Sequence, residues 1–204
     1  MSRMRGLPEL RIEAGGTLLP VADLRSLSSV HVQQRLAMPA QCELTFTDPR
    51  GTLASSGIPP GTSLRVAAAS GTDDLFLGEV TAVEYVHATG GAREVRVRGY
   101  DVLHRLRKRQ PVRAHVQVTL EDLARELASG LGLSVQAAAP GPLWRHLIQH
   151  GQSDLDFLVE RADRCGLYPV AARRHAAAGD AGGRGQPRCR LLLGARRCWR
   201  PPWR

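Results

Sequence analysis

Aromatic residues are the first shortage. They make up 4% of the 204 residues, so aliphatic side chains have to fill any core. Long hydrophobic runs are missing as well, and without about 18 consecutive apolar residues the sequence offers no membrane-spanning helix. The N-terminus, MSRMRGLPELRIEAGG, lacks the apolar stretch of a secretory signal. The chain is therefore expected to be cytoplasmic, or to be carried inside a particle. Cysteine is sparse and shows no CxxC spacing: Cys42, Cys165, Cys189 and Cys198 stand alone. This fits free thiols in a reducing compartment rather than a disulfide framework. No glycine-rich phosphate loop occurs, since Thr89-Gly90-Gly91 sits between two extended runs and reads as a hairpin connection.

Acidic residues are also few, 19 against 28 basic ones, and the net charge of +9 raises the question of a polyanionic partner. Its distribution weakens that idea. Residues 171–204 hold nine arginines and a single acid, Asp180, whereas the preceding 170 residues carry a net charge of only +1. One basic run remains in the body of the chain: Arg105, Arg107, Lys108, Arg109 and Arg113. No stacking aromatics accompany it, as a single-strand platform would require, and no recognised nucleic-acid motif surrounds it. A solvated or interface-facing edge is the favoured reading.

Residues 8–100 read as β-structure. In QCELTFTD (41–48), Cys42, Leu44 and Phe46 alternate with Glu43, Thr45 and Thr47, the period of a half-buried strand. LRI (10–12), SSVHVQQRL (28–36), SLRVAAAS (63–70), LFLGEVTAVEYVHA (75–88) and EVRVRGY (94–100) extend the pattern, separated by turns such as Asp48-Pro49-Arg50-Gly51 and Ile58-Pro59-Pro60-Gly61. Short strands spaced in this way predict a barrel or sandwich.

After residue 100 the period becomes helical. Leu120, Leu123, Ala124, Leu127, Ala128 and Leu131 line one face of 119–131, with Thr119 and Asp122 as a capping box and Gly130 as a stop. A second helix follows Ser153, with Leu155, Leu158, Ala162 and Cys165 as its apolar stripe and Gly166 as its end. LSVQA (133–137), WRHLIQH (144–150) and LYPV (167–170) read as strands. The arginine-rich remainder shows no period and reads as an irregular basic tail. The class is α+β.

Candidate chemical groups fail on spacing. His146 and His150 are four apart, but on a strand that separates them by about 13 Å. Cys165, His175, Cys189 and Cys198 are irregularly placed for a metal site. Asp154, Asp156 and Glu160 suggest paired carboxylates, yet they occupy the first turns of a helix, where the dipole favours acids. Ser153 lacks the sharp turn of a nucleophile and suits a cap. No catalytic, cofactor or metal site is expected.

The order of these features resembles the phage late control gene D family, the hub proteins of contractile tails, which are related to the N-terminal half of VgrG spikes. The residues that carry the resemblance are the F-x-G-x-V strand (Phe76, Gly78, Val80), the G-Y-D-x-x-H-R-L junction (Gly99 to Leu106), the helix at 119–131 and the Q-S-D-L-D-F-L…G-L block (Gln152 to Leu167). The resemblance covers residues 8–170. It implies a first tube-type β-barrel at 8–100, then a small α/β insertion domain with two helices at 101–170. It implies a homotrimer whose partners are tail-tube, baseplate and spike proteins, and neither cofactor nor small-molecule substrate.

Family hubs return to β-structure after the insertion and build a second barrel. Here residues 171–204 stand in its place, with the composition of an out-of-frame reading of a GC-rich gene. The expectation is a truncated hub with a frameshift near residue 171. Two other readings stay open at this point. One is a nucleic-acid-binding protein using 105–113 and the tail; the other is a cell-wall hydrolase associated with a spike.

Overall fold

The computed structural model describes residues 10–48, 53, 58–69, 74–87, 93–173 and 189–195. These form two compact units, residues 10–34 with 40–101 and residues 35–39 with 102–195.

The first unit is a seven-stranded sheet: β1 (Leu10–Ala14), β2 (Thr17–Leu18), β3 (Leu27–Gln33), β4 (Gln41–Thr47), β5 (Ser63–Ala68), β6 (Asp74–His87) and β7 (Arg93–Tyr100). A single helical turn, α1 (Val21–Leu24), links β2 to β3. The strand order is β2-β1-β5-β6-β7-β4-β3, and every neighbouring pair is antiparallel. Pairing between the terminal strands β2 and β3, which would close a barrel, is not among the described pairs. The alternation in β4 places Cys42, Leu44 and Phe46 fully inside, against Ile12, Leu64, Val66, Val80, Val95 and Val97. Thr89-Gly90-Gly91 lies outside the described residues; the strands on either side of it pair from His87 opposite Arg93.

Two motif residues have local roles here. A Cβ on Gly78 would lie 2.2 Å from the Tyr100 carbonyl oxygen and 2.6 Å from the Phe76 ring. Only glycine lets β6 approach β7 this closely. Asp101, just past β7, accepts a hydrogen bond at Oδ2 from the Ala40 N–H at 2.8 Å. Its own N–H donates to the Ala40 carbonyl at 3.0 Å, so both groups of the junction acid tie the end of β7 to the start of β4.

The second unit opens with a 3-10 helix (Val102–Lys108) whose Leu103 and Leu106 are fully buried. It continues with β8 (Val112–Val118), α2 (Leu120–Ala128), β9 (Ser134–Ala137), β10 (Trp144–His150), α3 (Asp154–Arg164), β11 (Leu167–Arg173) and β12 (Cys189–Ala195). The Thr119 and Asp122 capping box forms at the start of α2, and Ser153 caps α3 by accepting from the Asp156 N–H at 3.1 Å. α2 ends at Ala128, before the predicted Leu131, because Ser129 leaves helical geometry and Gly130 takes a φ of 79°. Its apolar face and that of α3 meet in one core with Leu103, Leu106 and Leu147.

β8 and β10 form a two-stranded antiparallel ribbon. β12 is the centre of a second sheet, antiparallel to β11 and parallel to β9. This corrects the expectation of an irregular tail from residue 171. β11 runs on to Arg173, and the Leu191-Leu192-Leu193 run, too short to show a period, inserts as a buried strand. Leu191 and Leu193 are 0% and 1% exposed in the core. Leu192 between them lies on the opposite face and is half-buried, an alternation that three consecutive leucines conceal in the sequence. Residues 174–188 and 196–204 of the expected tail lie outside the described residues.

Candidate functional site

The basic run is split between structural and exposed positions. Arg107 and Lys108 are exposed at the end of the 3-10 helix, and Arg105 is half-buried on it. Arg109 turns inward. Its Nε lies 2.8 Å from Oδ2 of Asp154, whose side chain is 2% exposed, and its terminal nitrogen donates to the Leu127 carbonyl at the end of α2. The Arg109 carbonyl in turn accepts from the Asp154 N–H at 3.0 Å. Gln149, fully buried in β10, donates to Asp154 Oδ1 at 3.0 Å and to the Gln152 carbonyl at 2.9 Å. One side chain from the basic run thus straps the C-terminus of α2 to the N-terminus of α3.

Arg113 is engaged too. It reaches Glu126 Oε1 at 3.3 Å. The other oxygen of Glu126 sits 2.8 Å from His115 Nδ1, so this ring nitrogen carries the proton and donates. His115 is buried, stacks on Phe157 with ring centroids 5.6 Å apart, and has no partner for Nε2 among the described residues. The Arg161 guanidinium covers the same Phe157 ring at 5.1 Å, a favourable cation–π placement. The run therefore offers no continuous row of free cations for a phosphate backbone.

The remaining candidates separate in space or in role. Asp154 is held by Arg109. Asp156 accepts from the Ser153 hydroxyl at 2.6 Å. Glu160 pairs with Arg164 at 2.6 Å. Ser153 is a cap, and its hydroxyl is spent on Asp156. His146 and His150 are both exposed on β10, and no group of three metal-ligating side chains occurs among the described residues. Cys165 is half-buried, with its thiol pKa raised by that burial. Cys189 opens β12, while His175 and Cys198 lie outside the described residues. Cys42 is buried in the first sheet, and burial, followed by the charge of Glu43, pushes its thiol up to about 12. It is an inert core group.

The polar side of the first sheet is laced with ion pairs. Arg65 contacts Asp74 at 2.6 Å and Glu13 at 3.3 Å, and these partners, Asp74 first, hold its pKa above the ordinary arginine value. Arg98 contacts Glu43 at 2.8 Å and Glu84 at 3.3 Å. Arg96 pairs with Glu94. The charges of this face are matched within it.

Sequence reasoning did not assign β8 as a strand, and it passed over His115 and Gln149. The signal in VRAHVQV was alternation, but with the opposite sense to the one that alternation normally carries. The polar His115 is inside, whereas Val112, Ala114 and Val116 are outside, with Val112 79% and Val116 56% exposed. β10 is mixed: Leu147 keeps the usual sense and is buried, whereas the polar Gln149 is buried too and Ile148 is 51% exposed. No helix among the described residues is long and apolar enough to cross a membrane.

No protein-family model matches the chain, and none of the curated proteins does. Solved structures do match. The 43 kDa tail protein of prophage MuSo2 from Shewanella oneidensis superposes with a TM-score of 0.64 at 16% identity, over 80% of this chain and 50% of that one. An E. coli component of the type VI secretion system, described as structurally similar to T4 bacteriophage tail proteins, gives 0.62 at 13% identity over 90% and 48%. A tail protein from Neisseria meningitidis gives 0.61 at 17% identity over 91% and 49%. The chain therefore has the fold of part of these phage-tail and secretion-system proteins, and it spans about half of their length.

Proposed function

We propose that the chain is a structural component of the late control gene D type, the hub of a phage tail or phage-like contractile injection system, where it links the tail tube to the spike. On this reading residues 8–100 supply the first tube-type barrel unit and residues 101–170 the insertion domain. Three copies form a ring. It works by docking, without catalysis or a cofactor, inside the assembled particle.

The observation that carries the proposal is the fold likeness to a prophage tail protein over 80% of the chain. Two features of the molecule support it. The titratable candidates are taken up as caps and ion pairs rather than gathered into a site. The positive run is partly neutralised by Asp154 and Glu126, which disfavours nucleic-acid binding as its purpose. Arg107 and Lys108, exposed at the end of the 3-10 helix, with Arg105 half-buried beside them, are the residues of the run proposed to face acidic groups of a neighbouring tail protein.

The test is co-expression with a tail-tube protein and a spike protein of a contractile tail, followed by sedimentation. A complex containing all three proteins is the expected outcome. The proposal fails if the chain associates with neither. It also fails if the chain binds nonspecific DNA with a steep salt dependence that survives removal of residues 196–204 and substitution of the arginines in 174–188.

A further inference from the structure

We draw no further inference here: the strongest candidate, the exposed apolar face of the β8–β10 ribbon formed by Val112, Val116 and Ile148, carries nothing because nothing in the structure shows what covers it.

Discussion

The Nε of Arg109 lies 2.8 Å from Oδ2 of Asp154, and that carboxylate is 2% exposed. The pair joins a residue that looks like part of a solvated basic run to one that looks like a dipole-favoured acid at a helix start. Removing the arginine leaves a buried carboxylate with the Gln149 amide as its remaining described side-chain partner. Arg109→Met should lower stability by about 2–3 kcal/mol, below the full cost of a deeply buried pair because the arginine itself is partly exposed. Arg107→Met and Lys108→Met should each stay within about 0.5 kcal/mol. Urea denaturation measures all three. Adding Asp154→Ala to Arg109→Met should recover part of the loss, and the double-mutant cycle reports the coupling. Equal effects at 107, 108 and 109 would mean that the strap contributes nothing.

Gly78 explains one letter of the F-x-G-x-V pattern. An added methyl group would lie 2.2 Å from the Tyr100 carbonyl oxygen, a backbone atom that cannot swing aside. Gly78→Ala should therefore disrupt the β6–β7 pairing, with thermal unfolding shifted down by many degrees or with no folded protein recovered. Gly194→Ala is the control. Its new Cβ meets the Tyr168 ring at 3.6 Å, an ordinary contact, and the midpoint should move little.

Much of this was legible in the sequence, and the parts that were not have physical reasons. The period-2 alternation of Cys42, Leu44 and Phe46 announced β4 because that strand has one wet and one dry face. The caps Thr119 and Ser153 announced their helices because the exposed N–H groups at a helix start demand those side chains. β8 was missed because its alternation runs against burial, with His115 inside and Val112 outside. β12 was missed because three leucines flanked by arginines carry no period, and only the partners β9 and β11, distant in sequence, make them a strand. Asp154 was read by position in its helix. Its burial depends on Arg109 and Gln149, a relation that no spacing rule encodes.

β12 makes a direct prediction about the arginine-rich segment. Leu193→Ala should cost about 2–5 kcal/mol, the usual range for a buried leucine, because Leu193 is 1% exposed in the core of the second unit. Leu192→Ala, on the opposite face and only half-buried, should cost clearly less. Urea midpoints for the two variants separate the possibilities. If both substitutions are silent, residues 189–195 do not form the central strand, and the chain loses its order near residue 171 as its composition suggests.

Cys42 gives the fold an alkaline limit. Burial, aided by the negative charge of Glu43, raises its thiol pKa from 9.0 to about 12. The folded state therefore keeps this proton where the unfolded chain sheds it. Its contribution is fully present below about pH 9 and declines between about 9 and 12, since there the unfolded state gains by ionising and the folded state does not. Stability measured by urea titration should fall across that window, and Cys42→Ala should flatten the fall while lowering the whole curve through the small cavity it leaves. Alkylation follows from the same burial: at pH 8 iodoacetamide should modify the half-buried Cys165 well before Cys42. Rapid labelling of Cys42 in the folded protein, or a pH profile unchanged by Cys42→Ala, would show that β4 does not sit at the dry centre of its sheet.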